Sequence, residues 1–91
     1  RHAGAYTLSR GQESVRLSKR ETEIFSYFLQ RKSSAVQKED LYTRIWGYDG
    51  TADSSIVEVY VSFLRKKLAL IHAHAEIQSV RGVGYRMVDT L

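Results

Sequence analysis

The stretch Ser54–Leu68, SSIVEVYVSFLRKKL, decides the fold, because it reads as one helix with two apolar-bearing sides. At ~100° per residue, Val57, Val61, Leu64 and Leu68 fall in one narrow stripe, the i, i+4, i+7, i+11 spacing of a core-facing side. The opposite side carries Ser55, Val59, Ser62 and Lys66, with Phe63 on its flank. A face that merely meets water should be mostly charged. Val59 and Phe63 are therefore read as held out for a partner. Ser55-Ile56-Val57-Glu58 predicts a capping box, the serine accepting from the N3 amide and the glutamate reaching back. The alternation of Val57, Val59, Val61 and Phe63 would also suit a strand. The capping box, the four-residue stripe and the continuation into Leu-Arg-Lys-Lys-Leu favour a helix over about 55–71.

The whole chain has 91 residues, which suits one small domain with a single core. Its 43% hydrophobic and 26% charged residues are those of an ordinary globular protein. With no cysteine there is no disulfide framework and no thiolate chemistry, so a reducing compartment is compatible. No apolar run approaches the ~18 residues of a membrane span. The chain starts at Arg1 without a signal-peptide pattern, and is expected to be a piece of a longer protein, although processing would give the same start. The formal net charge of +4 leans mildly toward an anionic partner.

In chain order, Tyr6-Thr7-Leu8 and Ser14-Val15-Arg16-Leu17 flank a polar turn with Gly11 and suit a small hairpin within 5–17. Ser18-Lys19-Arg20-Glu21 is a second capping box. It opens a helix over about 19–31, with Ile24, Phe25, Phe28 and Leu29 at helical spacing. After the polar break 31–35, residues 38–46 form a second helix, with Leu41 and Ile45 on one face and Gly47 placed to end it. A loop of about seven residues, longer than the tight turn of the simplest helix-turn-helix, leads to the third helix. Residues 76–88 then read as strand, glycine-bearing turn and strand, with Arg81 at the tip.

Four segments in this order, LSKRETEIFSYFL, QKEDLYTRIWGYD, VEVYVSFLRKKL and IQSVRGVGYRMV, resemble successive motifs of the C-terminal effector domain of OmpR/PhoB-family response regulators. Together they cover about residues 17–88. The VRGVGYR wing and the V-x-V-x-V-x-x-LRKKL helix carry most of the specificity. The resemblance implies an α+β winged helix-turn-helix with three helices, a short N-terminal hairpin or sheet and a C-terminal hairpin wing. It implies a bacterial, cytoplasmic transcription factor of a two-component system, binding double-stranded promoter DNA sequence-specifically and needing no cofactor. It also implies an upstream phosphoacceptor receiver domain outside this chain, tandem half-sites and a head-to-tail homodimer on DNA.

The physics of the residues fits that expectation. A helix ~10–12 Å across fits the major groove. Ser55, Val59 and Ser62 offer hydroxyls and an apolar contact, and valine or phenylalanine suits a thymine methyl. Packing within the domain or on a sister subunit is the competing role of Val59 and, more evenly balanced, of Phe63. Many family members carry arginines at the positions of Ser62 and Phe63, so the usual guanidinium contact with guanine is missing here. By resemblance Tyr60 meets the DNA backbone, but its phase is near the core edge. Arg65 matches a phosphate-contact position and Lys66 points outward; solvated charges are the plain alternative for both. In the wing, Arg81 is expected to enter a narrow minor groove, a surface charge being the plain alternative; Gly82 and Gly84 allow a tight backbone there, which turn chemistry alone also explains. Ser79 and Tyr85 flank it as phosphate contacts by resemblance. Trp46 is a core ring, a phosphate contact through its indole N–H, or both. The loop 47–53, with Tyr48, Asp49, Gly50 and Asp53, corresponds to a segment that contacts RNA polymerase in the family, and a plain linker explains it equally.

Two features stand apart. Family members usually carry a four-stranded sheet before the first helix, whereas the 17 residues before Ser18 suffice for two or three short strands. His72-Ala73-His74 has the only metal-like spacing, without an acidic or cysteine cluster beside it, and is read as surface. No metal site, catalytic residue or enzyme activity is expected, and a hydrolase built on these histidines is the weakest alternative. A winged helix used as a protein-docking module is the stronger one.

Overall fold

The computed structural model describes residues 6–47 and 52–90. Of the expected polymerase-contact loop, Tyr48, Asp49 and Gly50 lie outside the described residues, as does residue 5 of the N-terminal strand region.

The N-terminal segment folds as the hairpin β1 (Tyr6–Arg10) and β2 (Glu13–Leu17) in register Leu8↔Val15, with Leu8, Val15 and Leu17 turned from solvent. Leu8 packs on the core and Leu17 is buried in it. An isolated hairpin of this size would be marginal. Here three polar ties supplement the apolar contact: Lys67 Nζ donates to the Arg16 carbonyl, His72 Nδ1 lies 3.0 Å from Glu13 Oε1, and Arg10 Nη2 lies 2.8 Å from His74 Nε2. The His72-Ala73-His74 pair is thus engaged in docking the hairpin. Among the described residues no group of three or more potential metal ligands gathers.

Helix α1 (Lys19–Gln30) starts at the predicted capping box: Ser18 Oγ accepts the Glu21 N–H at 3.2 Å, and Glu21 Oε1 accepts the Ser18 N–H at 2.8 Å. Ile24 and Phe28 are fully buried, whereas Leu29 is exposed. Helix α2 (Lys38–Trp46) buries Leu41 and ends at Gly47, whose φ of +82° suits a residue without a Cβ. Helix α3 (Ile56–Leu70) buries Val57, Val61, Leu64 and Leu68, the predicted stripe.

Between the polar break and α2 lies a strand that periodicity does not reveal. Val36–Gln37 form β3, with Val36 buried, and pair antiparallel with β5. The wing itself is β4 (Ala75–Val80) and β5 (Gly84–Asp89), and the sheet order is β3-β5-β4. Cross-strand partners Ile77 and Met87 are both buried and turn one face of this sheet onto the helices. Gly84 is required by that packing: a Cβ there would stand 2.2 Å from the Val36 carbonyl oxygen. The architecture is three helices with two small antiparallel sheets, α+β, the second sheet projecting a hairpin beside α3.

Candidate nucleic-acid interface

The start of α3 departs from the expected Ser55/Glu58 capping box. Ser55 is already helical (φ −63°, ψ −14°) and its side chain makes no cap bond. Asp53 takes that role: its carboxylate accepts the Ser55 N–H at 3.0 Å and its carbonyl accepts the Ile56 N–H at 2.9 Å. The helical turn begins before Ser55, so the serine has lost the extended backbone a cap needs. Two consequences reach the surface. Ser55 stays exposed on the outer face, and Glu58 pairs with Lys38 Nζ at 3.2 Å instead of reaching back. Asp53, expected in a polymerase-contact loop, is exposed and occupied at least in part by this capping.

The outer face of α3 presents Ser55, Val59, Ser62, Phe63 and Lys66, all exposed. Tyr60 is half-buried and belongs to a run of rings that joins α2 to α3. Tyr42 stacks on Trp46 at 5.4 Å between centroids, Trp46 meets Tyr60 edge-on at 5.5 Å, and Tyr60 meets Phe63 edge-on at 5.6 Å. Such contacts contribute about 0.5–1.5 kcal/mol each beyond area burial. The Arg20 guanidinium lies 4.8 Å over the Trp46 ring and Nη1 donates to the Ile45 carbonyl, holding the indole from the other side. The Tyr42 hydroxyl donates to the Ala52 carbonyl, tying down the segment that enters α3. Tyr42 and Arg20 escaped the sequence reading, because their hydrogen bonds reach acceptors 10 and 25 positions away.

Arg65 is turned toward the wing. Its Nε donates to the Ile77 carbonyl at 2.8 Å and its Nη2 to Ser79 Oγ at 3.1 Å, with Tyr85 5.7 Å away under the guanidinium. Arg65 thereby joins α3 to β4, and Ser79, expected as a phosphate contact, accepts a hydrogen bond from its Nη2. Lys66, the next residue, is exposed.

The wing turn closes with the Val83 N–H donating to the Val80 carbonyl at 3.0 Å. Gly82 holds φ +77° at the third position of that turn, where side chains resist. Arg81 is exposed at the tip. Tyr85 sits mid-sheet between Ser79 and Val36. Burial pushes its phenol pKa up, with the Glu58 charge adding to the effect. Its hydroxyl is the protonated, donor-capable form at neutral pH. Lys38, Glu58 and Tyr85 line a shallow cleft with Val80, Gly82 and Gly84, between the start of α3 and the wing. The Glu58 hydrogen bond, then its charge, raises the Lys38 pKa. Lys38 is a cation at this cleft that periodicity could not assign, since its partner lies 20 residues away.

A helix following a helix, with a β-hairpin standing beside the second one, defines a winged helix-turn-helix domain. The chain belongs to the family described as "Transcriptional regulatory protein, C terminal", which it matches over residues 11–87; OmpR/PhoB-type response regulators are of this kind. The transcriptional regulatory protein CiaR of Streptococcus pneumoniae is 39% identical over 75 residues, covering 82% of this chain and 34% of CiaR. The chain spans about a third of the length of the curated relatives it matches. Among solved structures, the C-terminal domain of the lantibiotic response regulator NsrR superposes with a TM-score of 0.76 at 33% identity, covering 98% of this chain and 96% of that one. The DNA-binding domain of the response regulator AdeR, solved in complex with an intercistronic region, superposes at 0.77 with 25% identity, over 91% of this chain and 85% of that one.

Proposed function

We propose that this domain binds double-stranded promoter DNA sequence-specifically, as the effector module of a bacterial response regulator. Helix α3 enters the major groove, and the wing follows the backbone to the adjacent minor groove, where Arg81 inserts. The observation that carries this reading is the shared exposure of Ser55, Val59, Ser62 and Lys66 on one side of α3, with exposed Arg81 on a hairpin tied to the same helix by Arg65. Lys66 and Tyr85 are assigned to phosphates, and the Trp46 indole N–H to a phosphate at the end of α2. Arg65 serves here by setting the angle of the wing. The net charge of +4 suits a polyanion.

The chemistry assigned is binding without catalysis. On DNA, two copies lie head to tail on tandem half-sites, and the isolated domain is a monomer. The segment 47–53 is assigned to RNA polymerase, and a receiver domain that takes a phosphoryl group is assigned to the full-length protein.

Selection of bound sequences from a random duplex pool tests the central claim. An enriched half-site motif, with affinity falling steeply as salt rises, is the expected outcome. Enrichment of no motif, with weak binding equal on every duplex, favours the protein-docking alternative.

A further inference from the structure

The outer side of α3 lacks the planar side chains, arginine, asparagine and glutamine, that pair with base edges through two hydrogen bonds. The helix contains no asparagine or glutamine, and its single arginine, Arg65, is bonded to β4. Its one acidic residue, Glu58, is paired with Lys38. The planar forks that pair with guanine and adenine are therefore missing from that side, and Lys66 is its one cation within reach of a guanine edge. Apolar groups stand there instead. Val59 and Phe63 are 43% and 42% exposed, and Leu70 is 66% exposed. At ~100° per residue, Val59, Phe63, Lys66 and Leu70 fall within roughly 60° of each other.

Phe63 is also held in place. It ends the run Tyr42–Trp46–Tyr60–Phe63, each ring within 5.6 Å of the next. A ring fixed before contact loses little rotamer freedom on binding. In the major groove, base edges offer one apolar group, the C5-methyl of thymine.

Building on the assignment of α3 to the major groove, we propose that Val59 and Phe63 read thymine methyl groups. The half-site under the helix is then selected by methyl burial at one or two thymines. Ser55 and Ser62 add adaptable hydroxyls, and Lys66 anchors the helix.

The test starts from the duplex that the 91-residue chain selects from a random pool. Each thymine is replaced in turn by deoxyuridine, which keeps every hydrogen-bonding group and loses only the methyl. At one or two positions affinity should fall about fourfold, the worth of one buried methyl-sized group. 5-Bromodeoxyuridine, with a halogen of methyl size, should restore it. Val59→Ala lies on the surface and should fold normally; it should erase the deoxyuridine effect at one position while leaving the salt slope unchanged. Phe63→Leu is the companion variant for the second position.

A selected site in which every thymine tolerates deoxyuridine overturns the methyl reading and leaves DNA binding standing. So does a half-site defined by guanine. Failure to select any site overturns DNA reading and methyl reading together.

Discussion

Lys67 Nζ lies 2.7 Å from Glu21 Oε1, the same carboxylate oxygen that accepts the Ser18 backbone N–H at 2.8 Å. The cap of α1 and the last turns of α3 are therefore joined at one buried carboxylate, whose residue is 3% exposed. Lys67 also donates to the Arg16 carbonyl, so three elements meet at one ammonium. This pair is placed to brace the groove-facing helix from behind.

Glu21→Ala should cost about 3 kcal/mol, because it removes the return half of the capping box and leaves the half-buried Lys67 ammonium without its carboxylate, with the Arg16 carbonyl as its remaining acceptor. Glu21→Gln should cost less, since an amide oxygen still accepts from Ser18 but without charge assistance. Urea unfolding followed by far-ultraviolet circular dichroism measures both. Equal stability of all three proteins would show that the pair does not brace the fold.

Arg65→Ala should loosen the wing from α3. The expected signature is weaker binding to the selected duplex with a salt slope close to the parent's, because Arg65 Nε and Nη2 are used within the protein. Lys66→Ala should behave differently: affinity falls on all duplexes alike and the salt slope drops by ~1. Arg81→Ala should cost ~1–3 kcal/mol on the selected site, the scale of a groove contact. Titrations at four salt concentrations separate the three. A slope drop in Arg65→Ala equal to that of Lys66→Ala would return Arg65 to the phosphate.

Gly84→Ala and Gly82→Ala should diverge. At Gly84 the new Cβ meets three backbone atoms of the β3–α2 segment, the nearest at 2.2 Å, and backbone cannot move aside cheaply. Loss of about 3 kcal/mol or more is expected. At Gly82 the Cβ meets open space, and the cost is only that of φ +77°, about 1–2 kcal/mol. Thermal melts of the two variants give the comparison, and a milder Gly84→Ala would contradict the close approach of β3.

The titration of Lys38 and Tyr85 should leave stability unchanged near neutral pH and lower it in the alkaline range. Both groups have folded pKa values raised above 10.5 and 10.0, Lys38 by its Glu58 partner and Tyr85 by burial. The folded state therefore holds the proton more tightly. The stabilisation is full below the ordinary values and is lost as pH climbs through the raised ones. Urea midpoints between pH 8 and 11 read this, and Tyr85→Phe should flatten the alkaline fall.

The elements visible in the chain were those whose cause is local. The Ser18/Glu21 box spans four residues, the stripe of Val57, Val61, Leu64 and Leu68 is set by helical period, and the turn at Gly82 needs a backbone that glycine supplies. Outward exposure of Val59, Ser62 and Lys66 followed from the same phase. What the chain could not decide depends on partners far away in sequence. Strand β3 is two residues long and exists because β5 comes alongside at Gly84. The start of α3 passed from Ser55 to Asp53, where the incoming backbone is already turning. Arg65 could face phosphate or protein equally well until β4 supplied the Ile77 carbonyl and the Ser79 hydroxyl as acceptors. Periodicity assigns a side chain to a face; only the packed neighbours determine which atoms it meets there.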